Sequence, residues 1–169
     1  MADDFSADTR TTGSVGVGKY LMRKASESLT PVSLELGGND AMIVCRDADL
    51  DLAANGAVWA GLSNAGQSCG GVERIYVEQP VYDEFLQKLK ARVQTMQPGD
   101  WKSWQADMGR MTTAKQKESV QTHINAAVQQ GATVFAQADF TGVEELVCTP
   151  TVLTDVSHDM DVMRHETFG

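Results

Sequence analysis

Hydrophobic and polar positions along the chain switch repeatedly between helical and extended spacing. Val17, Leu21, Ala25 and Leu29 recur at helical intervals, and Pro31 closes that stretch. Val32-Ser33-Leu34-Glu35-Leu36 alternates with a period of two and predicts a short strand ended by Gly37-Gly38. Ala41-Met42-Ile43-Val44-Cys45 is a continuous apolar run, the pattern of a buried strand. Leu50 to about Ser63 is helical again, and Asp47 and Asp49 ahead of it can cap its free N–H groups and suit its dipole. Val72 to Glu78 predicts a strand with Ile75 and Val77 on one face. Pro80 fits the first turn of a helix running to about Met96, which Pro98-Gly99-Asp100 breaks. Residues 112–130 predict another helix, closed by Gly131, and Ala132 to Ala136 and Thr151 to Val156 are later strands. Residues 1–12 are polar, lack a period and read as a frayed start.

Strands alternating with helices of ten or more residues predict an α/β fold with a mostly parallel sheet flanked by helices. The length of 169 residues fits one domain or parts of two. A hydrophobic fraction of 42% is enough for a core and argues against disorder. The net charge of −9, with no dense Lys/Arg run, argues against a nucleic-acid partner. No window holds the ~18 uninterrupted apolar residues of a membrane span. The acidic start Met1-Ala2-Asp3-Asp4 has no apolar run behind it, so a signal peptide is not expected. Three cysteines do not make a disulfide framework, and a reducing, cytoplasmic compartment is the expectation. Without a Cys-x-x-Cys pair, and with three scattered histidines, no metal site is expected.

Three places carry candidate chemistry. Gly13-x-x-x-x-Gly18-Lys19 nearly spells a phosphate-cradling loop, but Tyr20 stands where that motif needs Ser or Thr to hold magnesium. The segment from Ser6 to Thr12 is also too polar for the buried strand that feeds such a loop. What survives is a glycine turn opening a helix, which offers backbone N–H groups to a phosphate or simply turns the chain. Cys69 lies among Gly66, Gln67, Ser68, Gly70 and Gly71. Small neighbours leave its thiol approachable and leave N–H groups for a developing oxyanion. Cys45 ends an apolar strand and Cys148 sits beside Leu146, Val147 and Pro150, so both read as packed hydrophobes. Glu35 shares a strand face with Ser33 rather than with the leucines. It reads either as a solvated surface carboxylate or as a partly buried general base with a raised pKa.

These motifs, in this order, resemble the aldehyde dehydrogenase superfamily. Thr12-Gly13-Ser14-x-x-Val17-Gly18 is similar to its cofactor-phosphate turn, and Leu34-Glu35-Leu36-Gly37-Gly38 to its glutamate signature. Asn64-x-Gly66-Gln67-x-Cys69 is similar to its cysteine signature. Asp159-Met160-x-Val162-Met163-Arg164-x-Glu166-Thr167-Phe168-Gly169 is similar to a later motif that touches the nicotinamide half of the cofactor. The resemblance covers nearly everything from Thr12 onward.

It implies an NAD- or NADP-dependent oxidation of an aldehyde to a carboxylate. Cys69 would add to the carbonyl to give a thiohemiacetal, which becomes a thioester after hydride transfer. Glu35 would activate the water that hydrolyses it. Gly13, Ser14 and Gly18 would face the pyrophosphate, and Val17 would pack near the adenine. The backbone around Leu36 would hold the carboxamide, Glu166 would bond the nicotinamide ribose, and Phe168 would pack beside it. The partners implied are a small aldehyde and further copies of the parent chain, as a dimer or tetramer, with no nucleic acid and no membrane. Residues 1–37 would be the C-terminal remnant of a cofactor domain and residues 38–169 most of the thiol-bearing catalytic domain. The chain would then be a middle piece of a longer enzyme, truncated at both ends and inactive alone.

Some residues depart from the family pattern. Asp8-Thr9-Arg10-Thr11 replaces an apolar strand, so the first ten or so residues look unrelated. Asn39-Asp40-Ala41 replaces a more usual Lys-Ser-Pro, and His165 stands where a second acid is common. The runs Asn39 to Val44 and Gly70 to Arg74 lean toward semialdehyde-oxidising members. Two other readings stay open: a cofactor-independent thiol esterase using Cys69 and Glu35, and a non-catalytic fragment.

Overall fold

The computed structural model describes residues 9–99, 106–140 and 145–169. The fold is α/β, and the chain divides into two compact units, Met1–Gly38 and Asn39–Gly169.

The first unit is a strand–helix–strand: β1 (Thr9–Thr12), α1 (Val15–Ser26) and β2 (Val32–Glu35). β1 and β2 pair in parallel, with Thr9 opposite Val32 and Thr12 opposite Glu35. The expected frayed start is therefore wrong from Thr9 onward, and residues 1–8 of it lie outside the described residues. Three β-branched threonines suit an extended backbone, and partner carbonyls on the second strand outweigh the lack of apolar residues. α1 ends at Ser26, a turn earlier than its spacing predicts. Leu29 lies beyond it with φ 56°, exposed and outside the apolar stripe.

In the second unit, β3 (Asp40–Val44) pairs in parallel with β4 (Val72–Val77), connected through α2 (Leu50–Leu62). Asp49 caps α2, its side chain accepting from the N–H groups of Asp51 and Leu52 at 3.0 and 3.1 Å. Asp47 takes no part in that cap. β3 is not buried along its length: Val44 is inside, but Ile43 is 71% exposed. A continuous apolar run thus behaves here as a one-sided strand, since only Met42 and Val44 reach the core.

Pro80 sits in a single 3-10 turn, Gln79–Val81, that leads into α3 (Tyr82–Gln94). Phe85, Leu89 and Val93 recur every fourth residue on α3 and are all buried. They form the centre of the core with Val44, Ala54, Ala57, Met111 and Val120. Asp100 of the expected break lies outside the described residues. α4 (Ala114–Gln129) starts at Thr113, whose side chain accepts from Gln116 N at 3.1 Å. It ends at Gly131, whose φ of +105° suits a glycine closing a helix. β5 (Thr133–Gln137) and β6 (Thr151–Thr154) then pair antiparallel, and the one-turn helix α5 (Asp161–Arg164) follows.

The described strands thus form three two-stranded ladders, two parallel and one antiparallel, where the alternation of elements predicts one mostly parallel sheet. β4 and β6 each have one partner, and both line a groove of about 570 Å³ with consecutive residues, Val72–Val77 and Thr151–Thr154. A strand that lines a groove with residues of both parities presents its edge.

Candidate active site

In the first unit, the glycine turn and the Glu35 strand meet. Gly13 N donates to Glu35 O at 3.0 Å, tying the start of α1 to the end of β2. Ser14 is the N-cap of α1, its Oγ accepting from Val17 N at 3.4 Å. The twelve-residue helix carries no acidic residue in its first turn, and a side chain added at Gly13 would meet no atom within 4 Å. Both features suit an anion at this helix N-terminus. Val17 is 48% exposed. Gly18 is buried. A β-carbon there would lie 3.0 Å from Leu36 Cδ2 and 3.2 Å from Leu34 Cδ1, so this glycine lets α1 pack closely on β2. That is a packing role, where the motif predicts a phosphate contact. Glu35 is exposed, on the face opposite Leu34. The partly buried carboxylate is not what this chain presents, because strand alternation turns Glu35 away from α1.

In the second unit, the sequence after α2 builds a braced loop beneath Cys69. Asn64 and Ala65 both take left-handed backbone conformations, at φ 54° and 56°. Such residues persist where their surroundings hold them. Asn64 Nδ2 donates to Gln67 O at 3.0 Å, and Gln67 Nε2 donates back to Asn64 O at 2.9 Å. The same buried Gln67 accepts from Thr112 N at 2.8 Å. The chain then turns through Ser68–Gly71, closed by Gly71 N donating to Ser68 O at 3.0 Å, and Cys69 is exposed at its tip.

The other two thiols differ. Cys148 is half-buried beside the core, and burial pushes its thiol up, with Lys117 partly opposing. Cys45 is exposed rather than packed, because it follows Val44, the last residue of β3 to pair with β4.

Near the Cys69 loop runs the segment Glu166–Gly169. A β-carbon on Gly66 would lie 2.5 Å from the Gly169 carbonyl carbon, and Gly66 itself has φ +74°. Phe168 is 36% exposed, with φ 55°. Three residues that sequence reasoning missed surround this segment. Glu73 accepts from Thr167 N and Phe168 N, Gln116 donates to their carbonyls, and His123 bonds the Thr167 hydroxyl. Burial pushes the Glu73 carboxyl up, against the pull of the two N–H groups; Glu166 adds to the rise and His123 opposes it. One signal was visible: Glu73 is an acid placed directly before Arg74 inside an otherwise apolar strand. Its partners lie more than 90 positions away, beyond any local pattern.

The first unit therefore brings Gly13, Ser14, Val17, Gly18, Glu35 and Leu36 together, and the second sets Gly66 of the Cys69 loop against Gly169, which follows Glu166 and Phe168 in the chain. Among the described residues, no group of three or more His, Cys, Asp or Glu side chains could hold a metal ion. None of the described helices is long and apolar enough to cross a membrane.

The pattern that defines the aldehyde dehydrogenase family matches residues 7–169. The match includes residues 7–12, so the polar positions from residue 7 onward are related to the family, where the first ten or so residues are expected to be unrelated. The chain is 42% identical, over 94% of its length and 32% of the relative's, to a Sinorhizobium fredii protein described as "Probable succinate-semialdehyde dehydrogenase", with NADP(+) in its name. It is 37% identical to the succinate semialdehyde dehydrogenase of Acinetobacter baylyi, over all of this chain and 35% of that one. It is similar to an NAD+ complex of an aldehyde dehydrogenase from Bacillus cereus, with a TM-score of 0.90 and 35% identity, covering 96% of this chain and 33% of that one. The chain thus spans about a third of the length of the relatives it matches.

Proposed function

The chain belongs to the aldehyde dehydrogenase family, and from that premise we propose that it supplies the thiol of an NAD- or NADP-dependent oxidation of an aldehyde to a carboxylate. Cys69 is the nucleophile in this reading. Its thiolate adds to the carbonyl carbon, and the resulting thiohemiacetal loses hydride to leave a thioester on sulfur. The nicotinamide, when bound, accepts that hydride. Glu35 takes one proton from the water that attacks the thioester carbonyl; collapse expels the Cys69 thiolate, and the carboxylic acid formed gives its remaining proton to solvent as the carboxylate leaves. The observation that carries the assignment is the exposed thiol at the tip of a loop held by the reciprocal Asn64–Gln67 bonds and by Thr112. Such a loop fixes the thiol before substrate arrives.

In the same proposal, residues 1–37 end a cofactor domain and residues 38–169 make up most of the catalytic domain. Gly13 and Ser14 hold the pyrophosphate at the α1 N-terminus, Val17 packs near the adenine, and Gly18 keeps α1 seated on β2. The Leu36 backbone, Glu166 and Phe168 hold the nicotinamide end. The names of the two relatives favour a semialdehyde as substrate. The whole enzyme is read, from the family resemblance alone, as a cytoplasmic dimer or tetramer. The 169-residue chain alone is read as inactive.

The test uses a family-length polypeptide carrying this chain. Incubated with succinate semialdehyde and NADP and quenched early, it should show an acyl adduct on Cys69 by mass spectrometry. The adduct should disappear in Cys69→Ser. Undiminished turnover in Cys69→Ser, or hydrolysis of activated esters with no nucleotide-dependent activity, would overturn the reading.

A further inference from the structure

The segment Glu166–Gly169 follows α5 and has no helix or strand of its own, yet its backbone is held on every side. Both Glu73 carboxylate oxygens accept from Thr167 N, at 3.0 and 2.8 Å, and one also accepts from Phe168 N at 2.9 Å. Gln116 Nε2 donates to Thr167 O at 2.7 Å and to Phe168 O at 2.9 Å. His123 Nδ1 and the Thr167 hydroxyl are 2.9 Å apart. Asn39 Nδ2 donates to His165 O at 3.2 Å, and Arg74 donates to Asn39 O. Every backbone N–H and C=O of Thr167 and Phe168 is thereby taken by a side chain from β4 or α4. The backbone so held is one the chain would not choose: Phe168 lies at φ 55°, which bulky residues rarely adopt.

We propose that Glu73 is a positioning residue. It clamps the Thr167–Phe168 backbone from below, with Gln116 closing the clamp from the other side, and so aims Glu166 and Phe168 at the nicotinamide end of the cofactor. The aim rests on the functional reading above; the clamp rests on the hydrogen bonds. A carboxylate is the side chain this task requires. Two adjacent N–H groups converge on it, and both of its oxygens accept. Glutamine at position 73 would turn an NH2 group toward one of the two amides. A half-buried charge costs desolvation and is retained where it is hydrogen-bonded.

The clamp is tested on the 169-residue chain by site-resolved amide hydrogen exchange. Glu73→Gln should speed exchange at Thr167 and Phe168 by about tenfold or more, with protection in α3 and α4 unchanged as evidence of folding. Glu73→Asp, one methylene short, should recover part of the protection. Gln116→Ala, which leaves the carboxylate in place, should loosen the same two amides and keeps the test open if Glu73→Gln does not fold. In the wild type, protection of both amides should fall as acid protonates Glu73, at a pH above the ordinary carboxylate range. Glu166 and His123 also face this site, so the step that Glu73→Gln abolishes is the one that belongs to Glu73. Unchanged exchange in both variants would overturn the clamp. The aim is read separately, from the perturbation of Glu166 and Phe168 resonances by nicotinamide mononucleotide. Perturbation in the wild type that weakens in Glu73→Gln supports it. No perturbation in the wild type, with the clamp intact by exchange, would overturn the cofactor reading of this segment alone.

Discussion

Gly66, three residues before Cys69, and Gly169, beside the proposed cofactor segment, approach so closely that a single β-carbon on Gly66 would lie 2.5 Å from the Gly169 carbonyl carbon. The loop under the thiol and the segment carrying Glu166 and Phe168 therefore leave no room for a side chain between them at Gly66. Gly66→Ala should destabilise the chain by about 2–4 kcal/mol, from the left-handed φ and the clash together. Urea unfolding measures the loss, and faster exchange at Phe168 N–H would show that the clash displaces the segment. A variant as stable as wild type would mean that the two backbones move apart freely.

The three thiols should alkylate in a set order. Cys69 should react first, on its exposed turn, then the exposed Cys45, with Cys148 last because it is half-buried and its thiol is pushed up. Iodoacetamide labelling of the native chain across pH, mapped by mass spectrometry, gives the order directly. Cys148 reacting before Cys69 would remove the case for Cys69 as the approachable thiol.

Glu35→Gln in a family-length enzyme should block turnover after hydride transfer. An amide cannot take a proton from water, whereas thiohemiacetal formation needs chiefly the Cys69 thiolate. Rapid mixing should still show a burst of reduced cofactor close to one per site, followed by a steady rate roughly a hundredfold or more below wild type. Loss of the burst, with Cys69 still open to labelling, would assign Glu35 to activating the thiol instead.

At the exit of β3, Arg46 forks onto Glu78, its Nη2 2.7 Å from Oε1, and holds the Glu78 carboxyl at about 2, against a usual 4.5. The folded-state value is depressed, so this pair's contribution is present above the unfolded value and is lost as pH falls toward 2. Carboxyl-resolved NMR titration should place Glu78 near 2 in the wild type and higher in Arg46→Ala, still below its usual value because the backbone N–H of residue 46 keeps donating to it. The pair is solvent-exposed, and its removal should leave neutral-pH stability little changed.

Legibility in the sequence followed the range of the interactions. α2, α3 and α4 were readable because caps, a closing glycine and a four-residue apolar repeat are local. β2 and β4 were readable from their alternation. β1 was not, because Thr9–Thr12 has no apolar pattern and is a strand only through its ladder with Val32–Glu35. Ile43 and Cys45 were misread as buried, since an apolar run does not reveal how many of its faces a fold covers. In the candidate site, the motifs around Ser14, Glu35, Cys69 and Glu166 were visible as patterns of residue type. The side chains that hold them were not: Glu73, Gln116 and His123 meet Thr167 and Phe168 across 44 to 95 positions of chain.

The division into two compact units with separate ladders bears on how this chain comes apart. Among the described residues of Met1–Gly38, only Gly18 and Ala25 are buried, and a single four-residue ladder supports one helix. Asn39–Gly169 has the aromatic and aliphatic core around Phe85, Leu89 and Val93. Two parts with such different amounts of buried apolar surface should differ in local stability. The strand–helix–strand should therefore exchange its amides faster than the residues around Phe85, Leu89 and Val93, which site-resolved hydrogen exchange reads. The proposed pyrophosphate site at the α1 N-terminus and the proposed base Glu35 both belong to the part with the smaller core.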